Sequence, residues 1–191
     1  MKSKQIQKRI FEKTDFSSNK LPEDECDNCH FAGCNFAGAD LSDIVFSECM
    51  FTGCNFSMAR LMKTTFDDVR FKDCKLLGMH FEDCNGFLFA AGFENCTLDL
   101  ASFYKMKLKD TVFDNSSLRE TDFTNADLTS ASFSNCDLAG AIFENTLMEK
   151  ADLKTAINYT IDPEKNRIRK ALFSLAGLPG LLGKYDIVVT E

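Results

Sequence analysis

The chain has no tryptophan, three prolines and two histidines in 191 residues. It also lacks long apolar runs. No window approaches the roughly 18 apolar residues that span a bilayer. The basic start, MKSKQIQKRIFEK, leads into no apolar core of roughly 7 to 15 residues such as a secretory signal carries. The expectation is a cytoplasmic protein with no membrane partner, where reducing conditions keep nine cysteines as thiols instead of a disulfide framework. His30 and His80 stand far apart, and neither adjoins a Ser or Cys in a nucleophile-and-base arrangement. The ten glycines are scattered and form no phosphate-cradling loop. Enzymatic chemistry is therefore not expected.

What the sequence has instead is repetition. With 45% apolar residues and a formal charge of -7, it suits one soluble domain, or two small ones, with a real core. Nineteen phenylalanines in a chain without tryptophan suggest one structural slot used many times. Apolar residues recur five apart from Phe11 through Phe16, Leu21, Cys26, Phe31 and Phe36 to Phe81. A second series runs from Leu88 through Phe93, Leu98 and Phe103 to Phe143, fading through Met148 and Leu153. Sixteen of the nineteen phenylalanines lie on these series, and the step of seven between Phe81 and Leu88 places two extra residues near Gly86.

Two positions before each centre sits a smaller side chain, such as Cys29, Cys34, Ala39, Cys49, Thr64, Ala101 or Cys136. Residues two apart share a face only where the backbone is extended, since a helix turns them well away from each other. A period of five fits neither a continuous helix nor a continuous strand, so the chain must bend every five residues. Leu21, Leu41 and Leu61 recur at twenty, as do Phe11, Phe31, Phe51 and Phe71, which makes four sides per coil. The predicted fold is an all-β square solenoid of about seven coils, given stacked strands about 4.8 Å apart.

Units such as CNFAG, ADLSD, CNFSM, ADLTS, ASFSN and CDLAG resemble those of the pentapeptide-repeat family over residues 11 to 156. The resemblance implies a right-handed quadrilateral β-helix. The repeat also disposes of the one cofactor motif in the chain. Cys26, Cys29 and His30 spell C-x-x-C-H, the covalent haem-attachment pattern. In the repeat register Cys29 falls in the small inward slot, Cys26 is a centre and His30 points outward. Eight of the nine cysteines take the inward slot as small apolar side chains, so no cofactor and no metal site are expected.

Residues 1 to 10 read as a basic N-terminal cap, 11 to 156 as the repeat body with its break near 82 to 88, and 157 to 191 as a helical cap. In the segment IDPEKNRIRKALF, Asp162 reads as an N-cap and Pro163 as the first helical residue, with Ile168, Ala171 and Leu172 as the apolar stripe. A short strand-like end is expected at Ile187 to Val189. Family members often dimerise through a C-terminal cap, so the resemblance makes Leu175, Leu178, Leu181 and Leu182 the candidates for a homodimer interface.

Residues 21 to 156 carry 23 acids and 11 bases, and from Leu21 to Ala59 there are seven acids and no Lys or Arg. Assigned to sides by the twenty-residue period, most N-terminal acids fall on two adjacent sides. Asp40, Asp43, Glu48, Asp67 and Asp68 are the candidate partner-binding residues there. Similarity to Qnr-type members implies DNA mimicry: an acidic rod presented to the DNA groove of gyrase or topoisomerase IV, giving protection against quinolones, without direct nucleic-acid binding. The alternative is a general interaction scaffold with an unrelated protein partner. Phe87 and Phe89 at the break read as a kinked piece of core or as an exposed contact.

Overall fold

The computed structural model describes residues 5–188 and Thr190. The five-residue period becomes structure through one repeated kink. The second residue after most centres enters the left-handed region, as at Asp43, Glu48, Met58, Lys63, Asp68 and Asp73, whose φ values lie between 49° and 62°. This conformation costs a side chain with a Cβ about 1–2 kcal/mol, least for Asn and Asp and nothing for Gly. Glycines 33, 38, 53 and 78 and many Asn and Asp accordingly stand at the corners. The corner N–H groups then bond between coils, Asp43 to the Met62 carbonyl at 2.9 Å and Glu48 to that of Asp67 at 2.8 Å.

The result is a right-handed quadrilateral parallel solenoid of about eight turns, one more than expected. Its faces are named here by a central residue: the Phe46, Phe51, Phe56 and Leu61 faces. On the Phe51 face nine short strands stack in parallel from Ile10–Glu12 to Leu172–Phe173. Pairing joins Phe11, Phe31, Phe51 and Phe71 at intervals of twenty, shifts to Phe71 with Phe93 across the break, and resumes at twenty to Phe113 and Phe133. The two inserted residues are thus absorbed locally. Pairing on the Phe46 face starts at Gln5–Gln7, with Ile6 in register beneath Cys26, so residues expected as a cap already contribute to the first coil.

The rings fill the core as ladders. Phe31 lies over Phe51 at 4.8 Å between centroids and Phe103 over Phe123 at 5.4 Å, while Phe51 meets Phe56 edge-on at 5.0 Å and 85°. Offset or edge contacts of this kind add about 0.5–1.5 kcal/mol per pair to the burial of the rings. The small slot does more than save space. Thr64, Thr121 and Thr146 donate their hydroxyls to the carbonyls of Leu41, Leu98 and Phe123 at 2.7, 3.0 and 2.9 Å. Each acceptor is a centre residue of the preceding coil. Cys49, Cys54, Cys74 and Cys136 aim thiols at the equivalent carbonyls at 3.3–3.4 Å. The small donor is a second partner at Leu41, Leu98 and Phe123, whose carbonyls also accept from the backbone N–H of Ile44, Ala101 and Ala126.

Two expectations fail in detail. Leu88 does not open the second series: it is 47% exposed, and Phe89 supplies the core side chain instead, packed on Phe66 and Phe81. The two inserted residues give the chain slack, and the bulkier ring fills the space beside Phe66 and Phe81. Nor does an α-helix form over residues 162 to 172. Asp162 accepts from Glu164 N–H at 2.9 Å in a tight turn, Arg167 joins Leu147 across coils, and Leu172–Phe173 pairs with Asp152–Leu153. Asn166 is the reason. It occupies the buried slot, donating to the Phe143 carbonyl and accepting from Thr146 N–H, each at 2.9 Å, which a helical register would break. Helical structure begins later, as short 3₁₀ turns over Leu175–Leu181 and Gly183–Tyr185. Ile187 and Val188 are exposed and belong to no strand; Val189 lies outside the described residues.

Candidate functional site

Because inward and outward positions are fixed by the corners, the surface charge can be placed coil by coil. All five candidate acids are exposed. Asp67 lies on the Phe46 face, and Glu48 and Asp68 stack at consecutive corners along its edge with the Phe51 face, one coil apart. Asp43 sits at the opposite corner of the same face, in the coil below Lys63. Asp40 is on the Leu61 face, in register with Arg60. The Ser42 hydroxyl and N–H, at 2.5 and 3.1 Å, hold the Asp40 carboxyl below its ordinary pKa, with the charges of Arg60 and Lys20 adding to the shift. The structure therefore gathers Glu48, Asp67 and Asp68 and leaves Asp40 and Asp43 at the margin, each beside a base.

The distribution of ion pairs sharpens the contrast. Among the described residues none of these five acids has a cationic partner within 4 Å. After the break, pairing is common: Lys109 with Asp127 at 3.4 Å, Arg119 with Asp137 at 3.7 Å, Lys154 with Asp152 at 3.1 Å and Lys165 with Glu144 at 3.0 Å. Composition had shown acids in both halves; only the register of neighbouring coils reveals which are matched. The Phe46 face also changes sign along its length, because Lys107 and Lys109 occupy the positions above the break.

Phe87, 89% exposed, and Leu88 project at that boundary from the loop of residues 85 to 90. The two aromatics singled out in the sequence thus take opposite roles, Phe89 inward and Phe87 outward. A depression of about 640 Å³ lies on the Phe51 face where Gly92 leaves a notch between Arg70 and Val112. Lys72, Glu94, Lys109 and Asp110 line it in mixed charge, and no Cys, His or Ser is among its walls. All nine thiols are buried. His30 touches the Thr52 hydroxyl at 3.1 Å and His80 touches Glu82 at 3.0 Å.

At the far end the four candidate dimer leucines divide. Leu175 and Leu178 are exposed, whereas Leu181 packs on the last coil and Leu182 is half-buried. The cap is held by Lys184, which reaches Asp162 at 2.9 Å and Glu164 at 2.7 Å; these contacts raise the Lys184 pKa. Tyr159 is buried beneath Gly177 and Gly180, where a Cβ at either position would collide with it.

These features define a four-sided solenoid with a filled core and an acidic edge without cationic partners among the described residues. The model of the pentapeptide repeat region matches residues 25–86 and 88–157, and the chain belongs to the pentapeptide-repeat family. No curated protein sequence matches it. Among solved structures it is similar to HetL, a pentapeptide-repeat protein involved in heterocyst differentiation regulation from the cyanobacterium Nostoc sp. strain PCC 7120. The identity is 16%, 91% of this chain and 85% of that one are covered, and the TM-score is 0.53. It is also similar to full-length QnrB1, a plasmid-mediated fluoroquinolone resistance protein, at 17% identity over 96% of this chain and 100% of that one, with a TM-score of 0.46. The HetL likeness bears on the fold alone. No helix among the described residues is long and apolar enough to cross a membrane.

Proposed function

We propose that this is a non-catalytic, cytoplasmic binding protein whose N-terminal acidic edge enters a basic groove of a protein partner, with DNA gyrase or topoisomerase IV as the candidate. The observation that carries the reading is the group of carboxylates Glu48, Asp67 and Asp68 on neighbouring coils, none with a cationic partner among the described residues. Coils about 4.8 Å apart carry this charge at a spacing near that of one DNA strand, about one charge per 3.4 Å. A rod built this way offers a groove fixed charge with little conformational freedom to lose. Phe87, just beyond Asp67 and Asp68, supplies an apolar contact beside the charge. The exposed Leu175 and Leu178 are the part of the cap available for an end-to-end homodimer, with Leu181 and Leu182 supporting it from beneath.

The test is a supercoiling assay with a gyrase-type enzyme, with and without a quinolone, at low salt and with this protein in excess. The reading expects altered supercoiling or relief of quinolone inhibition. If both stay unchanged, topoisomerase mimicry fails, and the acidic edge serves a scaffold for another basic protein, to be identified by affinity capture and then by loss of capture on acid reversal.

A further inference from the structure

Asn85–Gly86 is the chain's single Asn-Gly pair among twelve asparagines, and it falls in the break between the two five-residue series. Both residues are exposed, and the space around Gly86 is open. The Gly86 N–H has no hydrogen-bond partner among the described residues, while Asn85 N–H is anchored to the Thr64 carbonyl at 2.8 Å. The Asn85 carboxamide is held loosely, by contacts of 3.4 Å to Phe87 N–H and to the Thr65 hydroxyl; the first folds it back over the Gly86 peptide. Other asparagines sit differently. Asn115 donates its N–H to the Ser134 carbonyl at 2.7 Å inside the ladder, and Ser116, which follows it, is buried.

From this geometry we infer that Asn85 is a site of spontaneous, self-limited backbone modification. The deprotonated Gly86 amide nitrogen attacks Asn85 Cγ, the Cγ–Nδ2 bond breaks and ammonia leaves, closing a succinimide. Water then opens the ring at one of its two carbonyls, giving aspartate or isoaspartate. Glycine permits the attack because no Cβ restricts the backbone or shields the nitrogen. The product adds a carboxylate beside Glu82 and Asp83. In the isoaspartate form it also lengthens the main chain within the loop that seats Phe89 on Phe66 and Phe81. The inference does not depend on the identity of any partner.

The experiment incubates the full chain at mildly alkaline pH, with and without urea. Conversion is followed at each asparagine by peptide mass mapping and by isoaspartyl-specific methyl transfer. In the native protein conversion should concentrate at Asn85 and exceed that at Asn115. Gly86→Ala, at an exposed and open position, should slow it by roughly tenfold because the added Cβ hinders ring closure. Native conversion at Asn85 no faster than at Asn115, conversion only in urea, or an unchanged rate in Gly86→Ala would each overturn the proposal.

Discussion

Replacing Phe123 with alanine tests the inward and outward assignment on which every surface statement rests. Phe123 is fully buried and lies between Phe103 at 5.4 Å and Phe143 at 5.3 Å, with Phe113 and Phe133 edge-on at 6.0 and 5.8 Å. Removing the ring forfeits about 1.5–3 kcal/mol of burial. The rings above and below are fixed by strand register and cannot close the space. A residual cavity of about 60 Å³ then adds about 1.5 kcal/mol at ~24 cal/mol per Å³. The expected loss is about 3–5 kcal/mol, in line with other buried Phe→Ala changes. Outward Thr124, next in the chain, should cost no more than about 0.5 kcal/mol as alanine. Urea unfolding should show the first change as a lower midpoint at an unchanged slope. Equal losses at the two positions would refute the register.

Other consequences follow from the slot and the cap. Thr121→Val removes one of two donors from the Leu98 carbonyl, which keeps its bond from the Ala101 N–H, and should cost about 0.5–1.5 kcal/mol, with Thr121→Ser recovering most of it in the same unfolding assay. The native protein should react with a thiol reagent slowly and at few sites, whereas the unfolded chain exposes nine; rapid native labelling of four or more would contradict the burial. Burial pushes Cys26 and Cys49 up to about 12 and Cys136 up to about 11. Unfolded thiols lose their protons near about pH 8.5, so above that pH the unfolded state binds fewer protons than the native one and stability falls as pH rises. A Cys49→Ala, Cys136→Ala variant should lose less between neutral pH and pH 11 than wild type in thermal unfolding, measured against its own neutral value. Gly180→Ala, whose Cβ would lie 2.8 Å from the Tyr159 ring and closer to its carbonyl, should destabilise the cap by about 1–3 kcal/mol and open residues 174 to 188 to proteolysis.

The five-residue period made the solenoid legible because each centre and each small slot repeats a single geometry, and Phe31, Phe51 and Phe71 stack as that period requires. Phe89 was not legible as a centre. Spacing points to Leu88, but a two-residue insertion frees the loop to choose the larger ring. The false helix at Asp162 has a similar origin: Asp-Pro-Glu reads as a helix start, and an Asx turn uses the same residues. Asn166 carried the opposing signal, standing in the slot two before Ile168, yet one unit without a Phe or Leu centre is weak evidence of repetition. Legibility of the acidic site was partial. Outwardness followed from the register, but which carboxylates lack partners depends on long Lys and Arg side chains reaching between coils, and spacing does not set their rotamers.

The central claim is that the unmatched acidic edge binds a basic groove. Its most direct test is the affinity of a gyrase-type enzyme for this protein across a salt series, with wild type set against the reversal of Asp40, Asp43, Glu48, Asp67 and Asp68 to lysine. Wild type should bind at low salt and weaken steeply as screening shortens toward about 8 Å at physiological ionic strength. The reversed variant should not bind, yet should unfold nearly as wild type does, because exposed charges contribute little to stability. Reversing Asp137 and Asp152, which already have cationic neighbours, should change binding far less. Undiminished binding by the reversed variant, or no binding by wild type at low salt, would contradict the account.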